Sequence, residues 1–239
     1  MYRQFCAIKS KQTPTLALLV MLALSGCAAL PQPEVFQPTA EAPDELPAAP
    51  PDTTRYRIKT ADLEIHTYRA GWQAGRAHNH VMETTAVSGE IYLAEPIEVS
   101  KAIVYFRPWD LILDDPASRA AAGEGFESKR SAADIEATRL RMLGPKGFDT
   151  NNHPFVYVHV AWSDRDSLAL EIEFRGSRYP FTVPADWTLD EDRLELTADF
   201  ELTHAALGIE PYSAFAGALA VAEEIRVQIS LSAEPAASL

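Results

Sequence analysis

The sequence predicts an all-β protein, an antiparallel barrel or sandwich of about eight strands with one or two short helices at one mouth. Three observations predict it. Period-two alternation of apolar and polar residues dominates the second half of the chain. Each such run has one dry and one wet face, as antiparallel sheets have. No strand–helix alternation and no glycine-rich phosphate loop argues for a parallel α/β sheet.

Taken along the chain, strands are expected over Arg57–Tyr68, Val81–Leu93 and Ala102–Leu113. Asp115-Pro116 then reads as the N-cap and first residue of a helical turn through Ala122. Ser131 with Asp134 resembles a capping box opening a helix through Leu143, which Gly144-Pro145 closes. Phe155–Trp162 is apolar on both faces, so its outer side is expected to be covered. Leu168, Leu170, Ile172 and Phe174 alternate with Ala169, Glu171, Glu173 and Arg175. Leu194 to Leu202 and Ile225 to Ser232 repeat that pattern, and the acidic run Asp190-Glu191-Asp192 between strands reads as a solvated hairpin turn.

The N-terminus carries a different message. Arg3, Lys9 and Lys11 precede the apolar run Leu16–Leu24, the layout of a secretory signal. The run is well short of the ~20 apolar residues that a spanning helix needs. Leu24-Ser25-Gly26-Cys27 then resembles a bacterial lipobox, so Cys27 is the expected lipidation site and residues 1–26 the signal peptide. Several acyl chains, at ~0.8 kcal/mol per buried methylene, make a stable anchor. Ala28 in place of an aspartate favours the outer membrane, with the domain facing the periplasm. Residues 27–54 are rich in Pro and Ala and cannot bury a core, which makes them a tether. Residues 55–239 form one domain.

The chain has two cysteines, Cys6 and Cys27. With one in the signal and one lipidated, no thiol remains for a disulfide or a thiolate metal site. The net charge of −13 repels nucleic acid and anionic headgroups alike. No cofactor motif is present, nor a G-x-S-x-G elbow or an H-E-x-x-H pair, and the chain is read as a non-enzyme.

The densest polar feature is His78-Asn79-His80, whose two imidazoles share one side of a strand. A metal site would need a third ligand such as His66, His153 or His159. Asp110, Asp114 and Asp115 offer paired carboxylates, although Asp115 is better explained as a cap. Aromatic residues, among them Tyr105, Phe106, Trp109, Phe126, Phe155, Tyr157, Trp162, Phe181 and Trp187, are candidates for lining an apolar lumen.

The ordered segments Tyr56-Arg57-Ile58, Tyr68-Arg69-Ala70-Gly71 and Ala77–Val81 resemble the opening of a YceI-like domain. Asp114-Asp115-Pro116 with Arg119, Gly123 and Phe126 matches its middle, followed by Thr138-Arg139, Met142-Leu143 and His153-Pro154. Phe200–His204, Leu207–Ser213 and Gly217–Val221 match its close. The resemblance implies a lipocalin-like barrel whose lumen holds an isoprenoid or quinone-type lipid. It makes His78, His80, Phe106, Phe126, Met142, Phe174, Phe181 and Phe200 the candidate cavity and mouth residues. Ala206 and Leu207 depart from the family's usual aspartate and aromatic, and Ala222-Glu223 replaces another aspartate. The oligomeric state is left open by the sequence, a homodimer included, and two alternatives stand beside this reading: an envelope structural or interaction module with a filled barrel, and a histidine-based metal enzyme.

Overall fold

A computed structural model describes residues 49–236. Cys6, Cys27, the apolar leader and most of the tether lie outside the described residues. The strands are β1 (Thr54–Ala70), β2 (His80–Thr84), β3 (Ser88–Leu93), β4 (Lys101–Phe106) and β5 (Ile112–Leu113). Two helices follow, α1 (Pro116–Ala122) and α2 (Ala132–Leu143). After them come β6 (Val156–Trp162), β7 (Ser167–Phe174), β8 (Ser177–Pro184) and β9 (Asp186–Asp190). The last are β10 (Arg193–Thr203), β11 (Ser213–Ala214) and β12 (Leu219–Pro235).

All twelve strands belong to one sheet, nine of them in the order β8-β7-β6-β4-β3-β1-β12-β10-β9 with β2, β5 and β11 paired beside that path, and every pairing is antiparallel. Several short strands are parts of longer lanes. β1 pairs with β3 near its start, Thr54 opposite Leu93, and with β2 further on, Thr67 opposite His80. Residues 80–93 are therefore one lane with a break after Thr84. β4 and β5 run beside β3 and β2 in the same way, with a 3₁₀ turn at Pro108–Asp110 between them.

The two ends of the sheet are consecutive in sequence. β8 ends at Pro184, bonded to β7, and β9 starts at Asp186, bonded to β10. One run of chain, residues 177–190, thus borders both ends, and the sheet curls round onto itself. Counted in lanes, eleven of the strands reduce to eight: 54–70, 80–93, 101–113, 156–162, 167–174, 177–190, 193–203 and 219–235, with the short β11 paired to β12 beside them. The all-β, antiparallel barrel expected from the sequence is the architecture found.

Alternation sets the inside and the outside. Leu168 faces Trp162 across β6–β7 and Leu196 faces Leu231 across β10–β12, apolar residue against apolar residue. Ile91, Leu111, Leu194 and Val81 are fully buried. Each such side chain contributes roughly 1.5–3 kcal/mol relative to exposure, so burial carries the fold; the described residues contain no cysteine.

Both helices begin as expected. The Asp115 carboxylate accepts from the Ala117 and Ser118 N–H groups at 2.8 and 3.3 Å, with Pro116 in the first turn, where a missing N–H costs nothing. Ser131 Oγ accepts from the Asp134 N–H at 3.1 Å, and its hydroxyl donates to the Asp134 carboxylate at 2.7 Å. Arg139 fastens α2 to the barrel, donating to the Leu111 and Trp109 carbonyls at 2.7 and 2.6 Å.

On the outer side of β6, Tyr157 packs with Tyr105 and Phe155, ring centroids 5.7 to 5.8 Å apart, so an aromatic cluster supplies cover there. β8 and β9 are additions, since no strand was expected between Arg175 and Leu194.

Candidate functional site

The inward faces of the lanes enclose a cavity of about 1070 Å³. Its wall is apolar, and several inward residues, including Ile65, Val158, Ile172, Val227 and Ile229, are only half-buried. Side chains filling the lumen would bury them completely. The lumen is open, against the filled-barrel alternative.

One end of the cavity is polar. It is built where β2 starts, where β5 passes into α1, and where α2 crosses the mouth. The brace behind it is Asp114, which is 2% exposed. Asp114 stands at φ 57°, a conformation that few side chains other than Asn and Asp adopt, and its N–H donates to the Val81 carbonyl at 2.8 Å. Its carboxylate accepts from the Val81 N–H at 3.1 Å and from Arg119 at 2.6 Å. His80 Nδ1 lies 2.7 Å away. An ionised carboxylate only accepts, so Nδ1 carries the proton and Nε2 is the ring nitrogen left for the cavity. Burial opposes ionisation of Asp114; the His80 contact, the Val81 N–H and Arg119 outweigh it and hold the carboxyl below its ordinary value.

Arg119 is buried too. It donates to the Asn79 carbonyl at 2.8 Å and to Ser128 at 3.2 Å, and sits 5.9 Å from the Phe126 ring. The pair therefore ties β2, α1 and the loop after α1 together. The His78 ring stands edge-on to His80, centroids 6.5 Å apart, and both line the cavity. Burial, and then the charges of Arg130, His80 and Arg119, lower the His78 pKa below its ordinary 6.5. At neutral pH His78 is an uncharged imidazole. Arg130 Nε is buried without an acceptor at this end of the cavity, whereas Trp162 Nε1, also without one, lies at the far end, beyond Ala161, which pairs with Lys101, and Tyr92, which pairs with Arg55. The end of the cavity thus offers the Arg130 donor and the two imidazoles to a polar head, and the wall offers an apolar sleeve to a chain.

Of the residues singled out from the sequence, His78, His80, Phe106, Met142, Phe174 and Phe200 line the cavity. Phe126 and Phe181 do not. Phe126 follows α1 and packs on the outer face of β1, 5.4 Å from His66 and 6.1 Å from Tyr68. Phe181 faces Leu170 across β7–β8 and packs on the core without bordering the cavity. His66 contacts Glu64 at 3.0 Å on that outer face, His153 is 4.0 Å from Asp149, and His159 is 3.7 Å from Glu173. None joins His78 and His80. Among the described residues no group of three or more His, Cys, Asp or Glu side chains is placed to hold a metal ion. The three aspartates also part company: Asp110 pairs with Arg107 at 2.7 Å, Asp115 caps α1, and Asp114 alone joins the site.

The sequence reading missed Arg130 and the joining of Asp114 to Arg119. Asp114 and Arg119 lie five residues apart, and nothing in their spacing marks burial. A lone arginine before a helix cap carries no signal that its Nε is enclosed.

No family model matches the chain, and no curated protein matches its sequence. Solved structures do resemble it. A polyisoprenoid binding domain from Saccharophagus degradans, implicated in plant cell wall breakdown, superposes with a TM-score of 0.51 at 12% identity, over 76% of this chain and 98% of that one. BcnA of Burkholderia cenocepacia gives 0.47 at 9%, over 72% and 95%. A Campylobacter jejuni YCEI protein gives 0.45 at 8%, over 65% and 85%. Identity this low speaks for backbone architecture, and the first superposition carries that. The chain has the fold of the Saccharophagus domain, the lipocalin-like antiparallel barrel that its resemblance to YceI-like domains implied.

Proposed function

We propose that this chain is a YceI-like binding protein, not an enzyme, which holds an isoprenoid or quinone-type lipid in its lumen. It is anchored to the outer membrane through lipidated Cys27 and faces the periplasm. The observation that carries the reading is the apolar cavity of about 1070 Å³ with a polar end at His78, His80 and Arg130. Burial of an elongated chain contributes ~0.8 kcal/mol per methylene, so a long apolar ligand is retained without directional contacts. The polar end then selects the head. The Saccharophagus domain, described as polyisoprenoid binding, supports the ligand class.

Extraction of the protein from membranes without detergent, followed by mass spectrometry of the organic phase, tests the proposal. A stoichiometric isoprenoid lipid is the expected result. Protein that carries none, and takes up none from vesicles containing it, contradicts the reading. Radiolabelled palmitate that stays with the wild type and is absent from Cys27→Ser checks the anchor separately.

A further inference from the structure

Two large side chains stand fully in solvent at the cavity mouth. Trp72 is 73% exposed and Phe215 is 79% exposed, and Tyr212 beside them is 49% exposed. They belong to touching loops: the Gln73 N–H donates to the Ala218 carbonyl at 2.9 Å, and a Cβ on Gly71 would meet that carbonyl oxygen at 2.5 Å. Arg76, Ala77, Pro211 and Tyr212, from the same loops, line the cavity. The backbone at Phe215, Ala216 and Gly217 runs through three consecutive positive φ values of 52°, 53° and 83°. Two non-glycine residues are held in that region against the clash of Cβ with the backbone, and the result is to present a phenyl ring to solvent. Strain with that outcome points to a use.

We propose that loops 71–76 and 208–218 form a lip that seats the cavity mouth on a lipid bilayer, with Trp72 and Phe215 inserted at the headgroup–acyl boundary. The inference rests on the lumen's being a lipid site. Tryptophan and tyrosine favour this boundary because an apolar ring and a polar edge are both satisfied there. Charge selects the same end. The chain carries −13 overall, yet four cations, Arg76, Arg130, Arg141 and Lys146, line the mouth. The acids lining it are Asp134, Glu210 and Asp114, and the last is already paired with Arg119. An anionic surface therefore repels the body and accepts the mouth, which orients the barrel.

Chain length permits this orientation. The mouth lies at the Ala70 end of β1 and the tether joins at Thr54, 16 residues away (70 minus 54), or about 53 Å of strand. From Cys27 to Ala49 there are 22 residues (49 minus 27), whose greatest reach is ~73 Å. That exceeds the strand, so an anchor at Cys27 lets the mouth meet the same membrane.

The test uses the mature full chain purified from membranes and reconstituted into phosphatidylethanolamine–phosphatidylglycerol vesicles, with and without brominated acyl chains. Wild-type tryptophan emission is expected to fall in brominated vesicles, and Trp72→Ser to abolish that loss. Phe215→Ser and Arg76→Glu/Arg141→Glu are expected to weaken it. Equal emission in both vesicles overturns the proposal. So does a dimer in solution that Phe215→Ser splits, because the patch then belongs to a second copy. Both rings are exposed, so the variants keep the wild-type melting curve. Lipid content of the same samples separates the two readings: quenching without bound lipid keeps the lip and defeats the cargo, whereas bound lipid without quenching does the reverse.

Discussion

Asp114 is the residue on which the polar end of the cavity depends, because its carboxylate orients His80 and neutralises Arg119 in one buried place. Asp114→Asn leaves Arg119 buried with no counter-charge, and removing one partner of such a pair costs about 3–5 kcal/mol. Urea unfolding at pH 7 reads that loss directly. The pH dependence follows from the sign of the shift. The folded carboxyl titrates below its ordinary 3.8, so its contribution is present above that value and fades as pH falls through the lower, folded value. The wild type is expected to lose stability steeply there, and Asp114→Asn to show a flatter profile. His78 behaves in the opposite sense to a charged partner. Its folded pKa is below 6.5, so the unfolded chain takes up protons first and acid disfavours the folded state from about 6.5 downward. A histidine NMR titration should place its midpoint under 6.5.

Among the elements, α2 connects the cap chemistry to the cavity. Ser131 fixes its start, Arg139 bolts it to the barrel, and Asp134, Thr138, Arg141 and Met142 line the mouth. Ser131→Ala removes the cap and should cost about 1 kcal/mol. Amide exchange at Asp134 and Ile135 is expected to quicken while β12 amides stay protected. Where alternation was clean, as in β7, β10 and β12, the strands were legible residue by residue. β8 was not, because Pro180 and Pro184 argue against a strand. The structure tolerates them where β8 is bonded to β7 alone and β9 takes over pairing with β10. The break at residues 85–87 carries no breaker residue, whereas the one at 107–111 was marked by Pro108, which the apolar run on either side outweighed in the strand reading.

For the whole molecule, the described barrel stands on apolar burial with no cysteine in it. Its melting temperature should therefore be the same with and without dithiothreitol. Part of the site was legible because His78 and His80 fall in one short run. Asp114–Arg119 was hidden because burial, not spacing, makes it a unit. Phe126 misled because a loop residue has no period to assign its face. The openness of the lumen was beyond reach, since the same aromatic and aliphatic residues can either fill a barrel or surround a space. Half-burial of inward Val227 and Ile229 decides between these, and it supports the lipid-binding proposal. The most direct test fills that space. Val227→Trp places an indole in the lumen without touching the polar end. The account predicts a folded variant that leaves the membrane fraction with no bound lipid, beside wild type carrying it stoichiometrically. Equal lipid in the two proteins, by mass spectrometry of the extracted protein, would contradict it.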